Sequence, residues 1–243
     1  MHRIYRILMQ PADDYLAALQ AAVPRRSVVP VLAIIVATGL SWWIYVPIHE
    51  LGHAFGCVWT GGEVTRLDID PIYGATLLKR VFPFVSVGSA YAGQLTGFDT
   101  HGNDLTYLAT DFAPFLLTIL VGVPLLRAAP LQRTPLRAAL CLGAALPLAY
   151  APFISVTGDY YEMGSILVSR MATLWNPSLP LSRWRSDDAL KLGSQLFATS
   201  GGGLSDAVGI LASLVLGIVL IFATYWLGTG WSRVIVGGVS RKS

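Results

Sequence analysis

Residues 28–59 read VVPVLAIIVATGLSWWIYVPIHELGHAFGCVW. From Val28 to about Val46 the stretch is apolar and long enough to cross a bilayer as a helix. Pro47 then removes a backbone donor, which predicts a kink just ahead of the first polar turn. That turn carries His49-Glu50-Leu51-Gly52-His53, the pattern H-E-x-x-H. Residues four apart on a helix stack on one face, so His49 and His53 can grip one metal ion. Two neutral imidazoles leave two positions on a tetrahedral zinc, one for a third protein ligand and one for water. Glu50 projects about 100° round from His49, where it can reach such a water rather than the ion, as a general base must. The helix is expected to continue to Trp59 and to stop at Gly61-Gly62.

The remaining composition agrees with a membrane setting. The chain has 243 residues, 54% of them hydrophobic and 13% charged. Mean hydropathy is +0.59. A soluble domain of this size carries roughly twice that share of charge. The reading is a mainly α, polytopic membrane protein with about four transmembrane helices. A net charge of +3 gives no footprint for nucleic acid. Cys57 and Cys141 both sit in apolar runs and imply no disulfide framework. Cys57 lies one turn beyond His53, too far along to share the ion easily, and reads as packing.

Four regions follow along the chain. Residues 1–27 hold no cleavable signal peptide, because Pro11 cuts the first apolar run short. They predict a short interfacial helix with Ile4, Ile7, Leu8, Tyr15, Leu16 and Leu19 towards lipid. Residues 28–158 form a membrane core. Within it, Val64, Leu67 and Ile69 alternate with polar neighbours, and Ala75–Leu78 suggests a second strand. That predicts a membrane-associated β-hairpin over 63–78. Residues 81–98 are apolar but broken by Pro83, Gly88, Gly93 and Gly97, and predict a re-entrant segment. Spans are expected at about 107–126 and 138–156. Residues 159–203 read as a helical loop outside or at the edge of the membrane, with helices to about Trp175 and from about Ser186 to Thr199. Residues 204–243 give a last transmembrane helix and a basic tail.

If residues 81–98 do not cross, Arg3, Arg6, Arg25, Arg26, Arg127, Arg133, Arg137, Arg233, Arg241 and Lys242 share one side. By the positive-inside rule that side is the cytoplasm, with both termini in it. His53 and Asp159 then lie at the outer ends of their helices.

Asp159 is the first choice for the third ligand, since it follows Gly158 at the end of a span at matching depth. It is also well placed to cap the helix that follows. Glu162, one turn further on, is the runner-up. Asp111, near the start of a span, can serve as ligand or orient a histidine. His101 lies in a polar connector and is the weakest candidate.

HELGH at the end of a membrane helix, followed by GGEVTRLDIDPIYG over 61–74, resembles the site-2 protease family of intramembrane zinc metallopeptidases. The family pattern matches at His49, Glu50 and His53, and at Gly62, Val64, Pro71 and Gly74. The resemblance covers approximately residues 40–165. In that family a later membrane helix supplies an Asp as third ligand, typically within N-x-x-P-x-x-x-x-D-G. Here Pro152 and Asp159 stand in that order, but no Asn matches and Tyr160 replaces the Gly. The resemblance implies one Zn2+ per chain held by His49, His53 and Asp159, with Glu50 catalytic. It also implies cleavage of a membrane-associated or transmembrane protein substrate, and a site towards the cytosol. The charge count points the other way.

Two other functions fit the same residues. One is a zinc hydrolase acting on a lipid or lipid-linked group. The other is a non-catalytic scaffold or transport component with a vestigial metal site.

Overall fold

The computed structural model describes residues 2–24, 27–180, 182–198 and 201–240. Arg25, Arg26, Arg241 and Lys242 lie outside the described residues, as do the side chains of Arg3 and Ile4. The molecule is mainly α. Four helical stretches are long and apolar enough to cross a membrane: Val28–Trp59, Asp104–Leu131, Pro135–Trp175 and Leu204–Ile235.

The first stretch is a single helix, α2 (Val28–Trp59), preceded by α1 (His2–Ala22). It ends where expected. Gly61 takes a left-handed φ of +96°, and Gly62 N–H donates to the Cys57 carbonyl at 2.9 Å. That left-handed turn suits glycine, which carries no Cβ to clash. The second stretch joins α4 (Asp104–Phe112) to α5 (Val123–Ala128) through a 3-10 turn at Pro114 and a π-helical turn over Thr118–Gly122. The third joins α6 (Pro135–Ile154) to α7 (Asp159–Trp175), and after the short α8 (Ala189–Ala198) the last is α9 (Leu204–Ser240).

Paired residues fix the directions. Ile34 meets Gly143, Ser41 Oγ donates to the Ala144 carbonyl, and Tyr45 clusters with Ala151, so α2 and α6 run parallel. Gly52 closes on Pro114 and Gly56 on Ala109, so the second stretch runs antiparallel to α2. Tyr150 lies near Tyr225, Phe153 meets Phe222 edge to face, and Gly164 closes on Ser213, so α9 runs antiparallel to α6 and α7. The passes alternate, and the start of α2 and the end of α9 share one end of the bundle.

Helix α1 closes that end. Asp14 accepts from Arg127 at 3.0 Å and from the Tyr225 hydroxyl at 3.0 Å, and Tyr150 OH donates to the Pro11 carbonyl at 2.7 Å. Its apolar face is therefore split. Tyr15 and Leu19 pack on the bundle core, while Leu8 and Leu16 stay exposed.

Residues 63–99 depart from expectation. Strand β1 (Glu63–Ile69) forms as read, but Ala75–Leu78 belongs to α3 (Ala75–Val81), not to a second strand. The reason is local. Gly74 turns left-handed at φ +77° and its carbonyl accepts from Leu78 N–H, starting a helix through the good helix formers Ala, Leu, Lys and Arg. Residues 81–98, expected as one re-entrant segment, form strands. They contribute β2 (Val85–Val87) and most of β3 (Gly93–Asp99) to a three-stranded sheet of order β2-β1-β3. The glycines that break a helix here fit a sheet. A Cβ at Gly97 would sit 2.6 Å from Thr65 Oγ1, at the bulge where β3 pairs antiparallel with β1. β2 pairs with β1 in parallel. The predicted β-hairpin over 63–78 is thus replaced by a mixed sheet spread over 63–99.

Leu67 and Ile69 of β1 pack with Leu51 and Ala54 of α2, which seats the sheet on the H-E-x-x-H turns. Asp68 between them is buried. Burial alone would raise its carboxyl pKa. Hydrogen bonds from Arg66 at 2.8 Å and Thr96 at 2.7 Å outweigh that and hold it below the ordinary carboxylate range.

Candidate metal centre

His49 and His53 rise from one face of α2, as their spacing requires. Their Nε2 atoms lie 3.2 Å apart. Asp159, the first residue of α7, brings Oδ2 to 3.7 Å from His49 Nε2 and Oδ1 to 3.8 Å from His53 Nε2. Tetrahedral zinc with bonds of about 2.0–2.1 Å sets its ligand atoms about 3.3–3.4 Å apart. The observed separations bracket that value, and the three residues form a group able to hold a metal ion.

The outer nitrogens fit the same role. His53 Nδ1 lies 2.9 Å from the Thr110 carbonyl. A carbonyl only accepts, so Nδ1 carries the proton and Nε2 keeps its lone pair for the cluster. His49 Nδ1 lies 2.6 Å from the Tyr45 hydroxyl, one turn earlier on α2. The tautomer that frees His49 Nε2 donates from Nδ1 to that oxygen. Phe115 packs on the His49 ring at 5.3 Å and fixes its plane. Such outer partners orient metal-binding imidazoles and raise their basicity.

Asp159 does not act as a helix cap. Gly158 occupies the cap position, and no side-chain cap bond is made. Instead Ser155 Oγ donates to Asp159 Oδ2 at 2.7 Å and accepts from Asp159 N–H at 3.2 Å. The carboxylate is thus anchored on the short turn between α6 and α7.

Glu50 lines the same cavity as the two histidines, a space of about 650 Å³ walled by α2, β3, α4, α7 and residues 185–188. Gly93 at the start of β3 leaves room for it. A Cβ there would stand 2.4 Å from Glu50 Cγ.

The other carboxylate candidates line this cavity but stand outside the three-residue group. Glu162 accepts from the Tyr107 hydroxyl at 2.5 Å. Asp111 is buried, next in sequence to the Thr110 that holds His53. His101 is elsewhere, in the turn after β3, 3.5 Å from Asp99 and 3.9 Å from Glu63. Cys57 is fully buried against the backbone of Glu63 and Asp99, as a packing residue should be.

Sequence reasoning does not find Tyr45, Thr110, Ser155 or Gly93. Tyr45 carries a readable signal, since Tyr45, His49 and His53 are spaced by four on one helix. The other three reach the site only through packing.

Fold and site together define a class: a mainly α chain with four potential membrane passes, holding a half-buried His–His–Asp group suited to a metal ion. No family model, curated protein or solved structure matches the chain.

Proposed function

We propose that the chain is a membrane-embedded zinc metallopeptidase of the site-2 protease type, cleaving a peptide bond in a membrane-associated or transmembrane protein. The observation that carries this reading is the convergence of His49, His53 and Asp159 beside a carboxylate, Glu50, that is packed into the same cavity. Zinc bound there supplies Lewis-acid activation of water and of the scissile carbonyl. The remaining work falls to the chain. Thr110 and Tyr45 hold the two imidazoles in the ligand tautomer, and Ser155 holds the Asp159 carboxylate. Glu50 takes the proton of the attacking water and passes it to the leaving amine.

Substrate presentation has a natural surface in β3. Among the described residues it pairs with β1 on one side only, and Gly93, Gln94, Leu95 and Phe98 line the cavity. An extended substrate segment added to an edge strand keeps its backbone open to attack, which a helix does not. The pairing strand is therefore β3 rather than a hairpin over 63–78. We assign both termini to the cytoplasmic face of the cell membrane, from the basic residues that flank the spans.

The test is Glu50→Gln, with zinc counted on purified protein and cleavage followed in cells. Zinc content stays at one per chain while cleavage of a co-expressed membrane substrate falls about a thousandfold. Retained cleavage overturns the mechanism.

One observation favours lipid as substrate instead. An apolar groove of about 450 Å³ runs along α2 past Leu40 and Ile44 to Ile48, and its wall includes Tyr45, whose hydroxyl meets His49. An acyl chain fits such a wall. Hydrolysis of a lipid ester, with no peptide cleaved, would select that reading.

A further inference from the structure

The cavity beside the metal group holds more carboxyl groups than one divalent cation engages. Six carboxylates line it: Glu50, Asp111, Asp159, Glu162, Asp187 and Asp188. Among the described residues its one Lys or Arg is Arg185, and that guanidinium is already committed. It grips Asp104 with two bonds of 2.7 and 2.8 Å and also donates to Ser169.

Asp111 is the member with an unmet need. It is only 4% exposed, and its Oδ2 has no hydrogen-bond partner among the described residues. Buried carboxylate oxygens are costly to leave without a donor. Glu162, 8% exposed, lines the same space from α7, with the Tyr107 hydroxyl on one oxygen. Both acids lie outside the His49–His53–Asp159 group, so metal binding leaves them unanswered. The rings of Phe98 and Tyr107 meet edge to face at 5.4 Å on the same wall. Aromatic faces in a cavity lined by two buried carboxyl groups suit an apolar stem that ends in a cation.

We infer that this part of the cavity is a subsite for a basic side chain of the substrate, with Asp111 and Glu162 as acceptors for its ammonium group. An ammonium brings three donors and a full charge. It donates to the unpartnered Oδ2 of Asp111 and leaves donors for Glu162. A neutral chain of the same length does neither. The inference deepens the peptidase reading and rests on it for the identity of the substrate.

The experiment uses the full chain, zinc-loaded in nanodiscs, with Glu50→Gln so that nothing is cut. A single lysine is walked along an otherwise neutral decapeptide, and each peptide is compared with its norleucine twin. At one position or two adjacent ones, lysine binds at least about tenfold more tightly. Asp111→Asn abolishes that preference while zinc stays at one per chain. Glu162→Gln weakens it, and serves alone if Asp111→Asn fails to fold. A smaller preference at every position, binding of no peptide, or a preference that survives both substitutions overturns the subsite. So does a second zinc per chain that disappears with Asp111→Asn, because Asp111 then serves a metal. Wild-type protein separates the two readings. If it cleaves no peptide yet shows the Asp111-dependent preference, the subsite stands and the peptidase reading fails. If it cleaves lysine and norleucine peptides alike, the reverse holds.

Discussion

The two halves of α2 are one helix in two environments. From Val28 to Ile44 one face packs on the bundle through Ile34 and Trp42, while Val28, Leu32, Ile35, Leu40 and Trp43 are all exposed. From Tyr45 to Cys57 it is largely enclosed, and Tyr45, Leu51, His53, Ala54 and Cys57 are buried. Exposed apolar surface of that extent belongs against lipid tails. The enclosed half is covered by the sheet, by α4 and by the α6–α7 turn. The comparison teaches where a membrane chain keeps ionisable groups. They sit where neighbouring elements supply partners, such as the Thr110 carbonyl and Ser155 hydroxyl, and not where lipid offers none.

Substitutions along α2 sharpen this contrast. The largest effect is expected in the enclosed half from His53→Ala. Loss of one metal ligand should weaken zinc binding on the order of a thousandfold, a share of the ~10–16 kcal/mol typical of structural zinc. Competition with a chelating dye reads it out. Unchanged zinc affinity would remove the metal centre altogether. Gly56→Ala comes next. Its Cβ would lie 2.4 Å from the Ala109 carbonyl oxygen and 2.6 Å from Ala113 Cβ, both fixed on the neighbouring helix. Forcing the helices apart should cost about 1–3 kcal/mol, seen as a lower Tm. A stability equal to wild type would mean the two helices are not in close contact.

Tyr45→Phe is subtler. It removes the oxygen facing His49 Nδ1 and leaves the ring packing intact. Zinc affinity should fall about 10–100-fold with Tm nearly unchanged. A drop in Tm with constant affinity would instead make Tyr45 a packing residue. The smallest effect belongs to the exposed half. Ile35 is 61% exposed, and Ile35→Ala should alter stability by no more than about 0.5 kcal/mol. A loss of several kcal/mol would show that another protein surface covers this face.

The legible parts of the molecule are those governed by short-range periodicity. Span length, the end of α2 at Gly61-Gly62 and the stacking of His49 on His53 each depend on residues within a turn or two. The sheet shows the opposite case. Residues 81–98 read as a broken apolar segment, because Gly88, Gly93 and Gly97 disrupt either kind of pattern. Only pairing with β1, itself seated on Leu51 and Ala54, makes them strands. Asp159 falls between these cases. Its order and depth are readable, but its hold by Ser155 rather than a capping role depends on how the chain turns between α6 and α7.

By itself the sequence determines a chain with several lipid-length helices and a pair of imidazoles on one helical face, because hydrophobic length and the 3.6-residue period are local properties. Tertiary structure alone decides which carboxylate completes the group and which glycine yields space to Glu50. It also decides which acid is left without a donor. Those outcomes depend on contacts between elements far apart in the chain, where a shift of one ångström separates a ligand from a bystander.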